Sequence, residues 1–114
     1  MSDEPVLLVE IKPPGHINAI SSRCLADDQM RDRFIALTDL VTRPYLYGFS
    51  VLGTRFGVYR LTIVTGEIEP AHLSRSRSRV VYAAPQSQWN FDVTTADGFA
   101  KWMEVVTEVK HMTL

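Results

Sequence analysis

The sequence has a single cysteine, Cys24, in 114 residues. No disulfide can form within the chain, and no cysteine-based zinc cluster can be built. That excludes a small secreted scaffold stapled by disulfides and points to a reducing, intracellular compartment. Charge of one sign is also lacking. Twelve Lys and Arg stand against thirteen Asp and Glu, for a net charge of −1. A histone-like polycation is excluded, although a local basic patch is not. The longest apolar stretch, Tyr45 to Val64, is interrupted by Arg55 and Arg60, so no membrane segment is expected. The opening Met1-Ser2-Asp3-Glu4-Pro5 lacks the basic start of a signal peptide. No repeat and no linker divides the chain, so residues 1–114 read as one domain. With 46% hydrophobic residues, that domain has enough apolar matter for a core.

The order of elements reads β-α-β-β-β-α: an α/β domain with a small mixed sheet flanked by two main helices. Residues Pro5 to Lys12 form an aliphatic strand, stopped by Pro13-Pro14-Gly15. A period of two puts Val6, Leu8, Glu10 and Lys12 on one face and Leu7, Val9 and Ile11 on the other. A helix follows from about Ser22 to Thr42, with Ser21 or Ser22 as N-cap and Pro44 beyond its end. Ala26, Met30, Phe34, Leu37 and Val41 make its apolar stripe. Asp27, Asp28, Arg31, Asp32 and Asp39 lie off that stripe, and Gln29 and Arg33 sit on one flank. Tyr45–Leu52 and Arg55–Val64 flank Gly53-Thr54 as a hairpin. Val80 to Tyr82 read as a short strand. The last helix runs from about Ala96 to Met112, opened by Thr94 with Asp97 in a capping-box arrangement. Its expected stripe is Phe99, Trp102, Met103, Val106 and Val109, extended by Met112.

Glu10-Ile11-Lys12 is the first candidate for chemistry. On a strand, positions i and i+2 share a face. A carboxylate there can ligate Mg²⁺, and the neighbouring ammonium can stabilise charge developing on a phosphate. A half-exposed strand also carries such pairs as plain surface ion pairs. Glu108-Val109-Lys110 repeats the triplet on a helix, where i and i+2 diverge. Gln29 and Arg33 can reach from the first helix toward Glu10 and a nucleic-acid phosphate, or form a polar border to its stripe. Arg75, Arg77 and Arg79, alternating with serines from Ser74, are candidate phosphate contacts or a solvated loop. His16, His72 and His111 are too scattered for a metal motif. Cys24 reads as a packed helix residue, and Trp89 and Trp102 as core anchors. Gly48, Gly53 and Gly57 read as bulges or turns rather than a phosphate loop.

The run Leu7-Leu8-Val9-Glu10-Ile11-Lys12, followed by a long helix with Gln29 and by Tyr-rich strands, resembles the C-terminal part of a PD-(D/E)xK nuclease core. "VLLVEIKPP", "SSRCLADDQMRDRF" and "YGFSVLGTRFGVYRL" are similar to stretches of fungal proteins of nuclease-like type. The hairpin and Lys101-Trp102-Met103 also resemble a segment that precedes the catalytic domain of fungal-type protein kinases. The nuclease resemblance implies a metal-dependent phosphodiester hydrolase, with Glu10 as Mg²⁺ ligand, Lys12 as electrostatic stabiliser and Gln29 assisting. It also implies an acidic residue on a strand before Glu10. Only nine residues precede Glu10, and Asp3 and Glu4 are expected to fray. The expectation is therefore an N-terminally truncated core that binds Mg²⁺ weakly and is a poor or inactive catalyst. The alternative is a non-catalytic interaction module. In either case the first strand lacks a neighbour, and self-association through its edge is expected. Nucleic acid is the other expected partner.

Overall fold

The computed structural model describes residues 4–71 and 84–113. The expected strand Val80–Tyr82 and the Ser74–Arg79 stretch, with Arg75, Arg77 and Arg79, lie outside the described residues. The elements are β1 (Leu7–Lys12), α1 (Ile20–Leu37), β2 (Tyr45–Leu52), β3 (Arg55–Thr62), β4 (Ile68–Glu69), β5 (Phe91–Asp92) and α2 (Ala96–Thr113). One mixed sheet results, in the expected α/β class. β1 pairs parallel with β2, because α1 carries the chain back before β2 begins. β2 and β3 form the hairpin, turned at Gly53, whose φ of 69° suits glycine. The outer edge of β3 is shared by β4 at Arg60–Leu61 and β5 at Arg55–Phe56.

The two helices cover opposite faces. Met30 and Phe34 of α1 and the following Val41 pack with Leu46, Tyr59, Leu61 and Leu8. Val105 and Val109 of α2 pack with Tyr47, Phe49, Val51, Phe56 and Leu7. Alternate residues of β2 therefore meet different helices, and all but its first residue are buried. The Trp102 ring stacks on Phe49 with centroids 3.9 Å apart. Trp89 is fully buried and donates from Nε1 to Ser50 Oγ at 3.1 Å. Cys24 is buried in the same cluster as Trp89. Among the described residues, no helix is long and apolar enough to cross a membrane.

Several local expectations are corrected. α1 starts at Ile20, before the serines, with Ala19 at its N-cap and no side-chain cap. The 3-10 turn Pro14–Asn18 already delivers the chain to the helix start. The helix stops at Leu37, and a 3-10 turn, Thr38–Leu40, follows well short of Pro44. Asp27 and Arg31, expected off the apolar stripe, are buried. On α2, Phe99 and Met103 are exposed at 55% and 40%, and Val105 takes the core position. Thr95 rather than Thr94 caps α2, its Oγ1 accepting from Gly98 N at 3.0 Å. Thr94 instead gives its N–H and hydroxyl to Asp92 Oδ1 at 2.9 and 2.6 Å. Glu4 is held, not frayed: it accepts from Thr42 N at 2.9 Å and ion-pairs with Arg43.

Gly48 and Gly57 make no bulge, since the β2–β3 register runs through both without a break. They are small because something lies over them. Met30 and Phe34 cover Gly48, and the Gln88 carbonyl sits where a Gly57 Cβ would be. Gly57→Ala should therefore push away the turn that carries Trp89. We expect a loss of about 1–3 kcal/mol in denaturant unfolding, with a red-shifted tryptophan emission. The Thr94 hydrogen bonds, hydroxyl first, hold the Asp92 carboxyl below its ordinary range. Their support for the α2 start is present above the usual carboxylate pKa and fades as pH falls through the lower folded-state value. An NMR titration should place Asp92 below a peptide aspartate, and Thr94→Ala should move its midpoint upward.

Candidate functional site

β1 and α1 together bring the sequence candidates into one place. Glu10 and Lys12 lie opposite Ser50 and Leu52 in the register, on the face that α1 covers. Glu10, Lys12, Gln29 and Arg33 line one shallow cleft of about 600 Å³, together with Asp32. The alternation of β1 and the one-turn spacing of Gln29 and Arg33 account for this convergence. Arg33 Nη2 stands 3.6 Å from Glu10 Oε1, an ion pair too long for a hydrogen bond. That carboxylate oxygen is buried without a hydrogen-bond partner. The Arg33 side chain is 61% exposed, so its guanidinium is available to solvent anions.

The cleft is a poor match for Mg²⁺. Two carboxylates, Glu10 and Asp32, face the cations of Lys12 and Arg33, whereas Mg²⁺ takes near-octahedral oxygen ligation. Among the described residues, no three His, Cys, Asp or Glu are gathered as a metal site requires. His16 is half-buried and His111 exposed, while His72 is outside the described residues.

Sequence reasoning missed a buried polar centre on the same helix. Tyr59 of β3 donates to Asp27 Oδ1 at 2.5 Å, and Arg31 Nε donates to Asp27 Oδ2 at 2.9 Å. Gln88 Nε2 lies 3.3 Å from both Asp27 Oδ1 and the Tyr59 hydroxyl. The Arg31 guanidinium also lies over the Tyr59 ring, 5.4 Å from its centroid. One turn earlier, Arg23 donates to the carbonyls of Ala84 at 3.0 Å and Ile17 at 2.7 Å. The available signal was Arg23-Asp27-Arg31, three charges of alternating sign spaced four residues apart on one helix face. The centre joins α1, β3 and the 86–89 turn, with Arg31 Nη2 buried and without a hydrogen-bond partner.

A larger cleft, about 820 Å³, lies between α2 and the β3–β4 edge, lined by Tyr45, Tyr47, Arg60, Glu69, Lys101 and Glu108 among others. Arg60 pairs with Glu69 at 3.0 Å and sits 4.8 Å from the centre of the Tyr45 ring. Lys101 pairs with Glu104 at 3.6 Å.

No family model, no curated protein and no solved structure matches this chain. Burial, reinforced by the Asp27 carboxylate, pushes the Tyr59 phenol well above its ordinary value. The stabilisation tied to that shift is complete below about pH 10, the unfolded value, and is lost as pH rises further. Tyr59→Phe should flatten that alkaline loss. Asp27→Ala should cost about 3–5 kcal/mol at neutral pH, because it strands a buried cation. Chemical denaturation across a pH series measures both.

Proposed function

We propose that this domain is a non-catalytic interaction module that recruits an extended partner strand to β1. One observation supports this reading most directly. Among the described residues β1 is paired on one side only, by β2. Its Val9 and Ile11 are 45% and 72% exposed on the face that elsewhere packs against α2. An open strand edge presents unpaired N–H and C=O groups in a row, and exposed aliphatic side chains beside it add apolar contact. The similarity of the hairpin and Lys101-Trp102-Met103 to the segment preceding fungal-type kinase domains agrees with a module of this kind.

The convergence of Glu10, Lys12 and Gln29 in one cleft favours a second reading, hydrolysis of phosphodiesters. The opposing Arg33 and the thin donor set argue against it, and no catalytic step is assigned. Mg²⁺- or Mn²⁺-dependent cleavage of DNA or RNA that disappears in Glu10→Ala and Lys12→Ala would reverse the order of the two readings.

The test of strand recruitment uses a synthetic seven-residue peptide of alternating valine and threonine with lysine ends. Titration should slow hydrogen exchange at the Val9 and Ile11 amides while the β3 amides are unaffected. Val9→Pro removes one N–H from the open edge and should abolish the effect without a large change in melting temperature. Unchanged exchange at saturating peptide would sink the proposal.

A further inference from the structure

The strand that best fits the open edge is β1 itself. This inference rests on reading β1 as a docking edge and identifies the occupant. Gly53 N donates to the Lys12 carbonyl at 2.9 Å, so that carbonyl faces β2. In a strand, the N–H and C=O of one residue point to one side and those of the next residue to the other. Leu8, Glu10 and Lys12 therefore bond inward, and Leu7, Val9 and Ile11 turn their N–H and C=O groups to the open edge. Pro13 has no N–H, and its carbonyl accepts from His16 N at 3.2 Å in the turn that follows. Beyond it, Pro14 lies against Gly53 on the β2 side, so among the described residues the chain turns away from the edge after β1.

We propose that two copies pair antiparallel through β1, about a two-fold axis at Ile11. Such an axis, perpendicular to the sheet, keeps matching faces together and must pass through a residue position. Centred on Glu10, it sets two carboxylates opposite each other. Centred on Val9, it sets Glu10 opposite Leu8 and Lys12 opposite Val6. Centred on Ile11, it sets Glu10 opposite Lys12 twice, Ile11 opposite Ile11, and Val9 opposite Pro13. Only this last register matches charge with charge and apolar with apolar on both faces. The two Ile11 residues exchange a pair of backbone hydrogen bonds.

The side chains agree. Ile11, 72% exposed, is the most exposed large aliphatic residue of β1 and would sit on the axis. Phe99 and Met103, exposed at 55% and 40%, lie on one flank of α2. Glu104 and Glu108, which line the β3–β4 cleft, lie on the other, rotated by about 140°. The exposed aromatic and thioether thus border the β1 side of the sheet and extend its apolar strip. A five-residue ladder is a small interface, which belongs to the weak, concentration-dependent class.

Sedimentation velocity over a concentration series tests the pairing, with circular dichroism confirming that each variant is folded. The wild type should shift from monomer to dimer. Ile11→Lys should weaken association at least ~10-fold by placing two cations on the axis. Glu10→Lys and Lys12→Glu should each lose self-association through like-charge pairs. Mixed in equal amounts, they should restore a dimer, because each variant then faces its complement. Dimerisation without this charge-swap rescue overturns the register, and dimerisation untouched by Ile11→Lys overturns the interface. A wild type that stays monomeric overturns self-pairing. If that monomer still binds the valine-threonine peptide, the edge reading survives; if it does not, both fail.

Discussion

The buried carboxylate of Asp27 is the constraint on which the rest of the molecule depends. It is 1% exposed, and an isolated charge at that depth would be costly. It persists because Arg31, Tyr59 and Gln88 converge on it. Those partners come from three places: α1 itself, the middle of β3, and the turn that buries Trp89. Satisfying one carboxylate therefore fixes the axial position of α1 over the hairpin and brings the 86–89 turn against Gly57. Apolar packing alone, which has no direction, would tolerate a helix shifted along its axis. The hydrogen bonds specify one placement, and with it the distance between Gln29 on α1 and Glu10 on β1.

The parts of the fold carried by local pattern were legible. The hairpin was marked by Gly53-Thr54 between two aromatic, β-branched runs, and β1 by its aliphatic content and the Pro-Pro-Gly stop. The shared face of Glu10 and Lys12 followed from strand alternation. Their meeting with Gln29 and Arg33 followed once α1 was placed over that face. What was not legible was long-range. Hydrophobic periodicity assigns aspartate and arginine to solvent, so Arg23, Asp27 and Arg31 pointed away from the face they actually occupy. The capping residue of α2 was misplaced by one position. Thr94 and Thr95 look alike in sequence, and the choice between them is made by Asp92 on β5. Phe99 and Met103 fell on the expected stripe of α2, but they lie on its exposed flank while Val105 takes the core position.

The same geometry gives the β1 face two different characters. On the α1 side the strand is polar and covered, with Glu10 against Arg33. On the α2 side it is aliphatic and open. A hydrolytic reading draws on the first side alone, whereas docking draws on the backbone edge between them, with the aliphatics of the second side and the Glu10 and Lys12 charges of the first setting the register. The covered side holds one long ion pair, Glu10 with Arg33, whereas the open side has exposed aliphatics beside a backbone edge that is unpaired among the described residues. That asymmetry is why recruitment of a strand is the better account.

The parallel pairing of β1 with β2 also sets the order in which the protein comes apart and together. Leu7 meets Tyr47 across the whole length of α1, whereas the hairpin residues meet across a two-residue turn. Closing the shorter loop costs less chain entropy, so the hairpin pairs before β1 joins it. A strand that joins after the hairpin and is held on one side can also leave before the hairpin during sub-global opening. Capture of its free edge would then act as a clasp, turning a strand held on one side into an interior one.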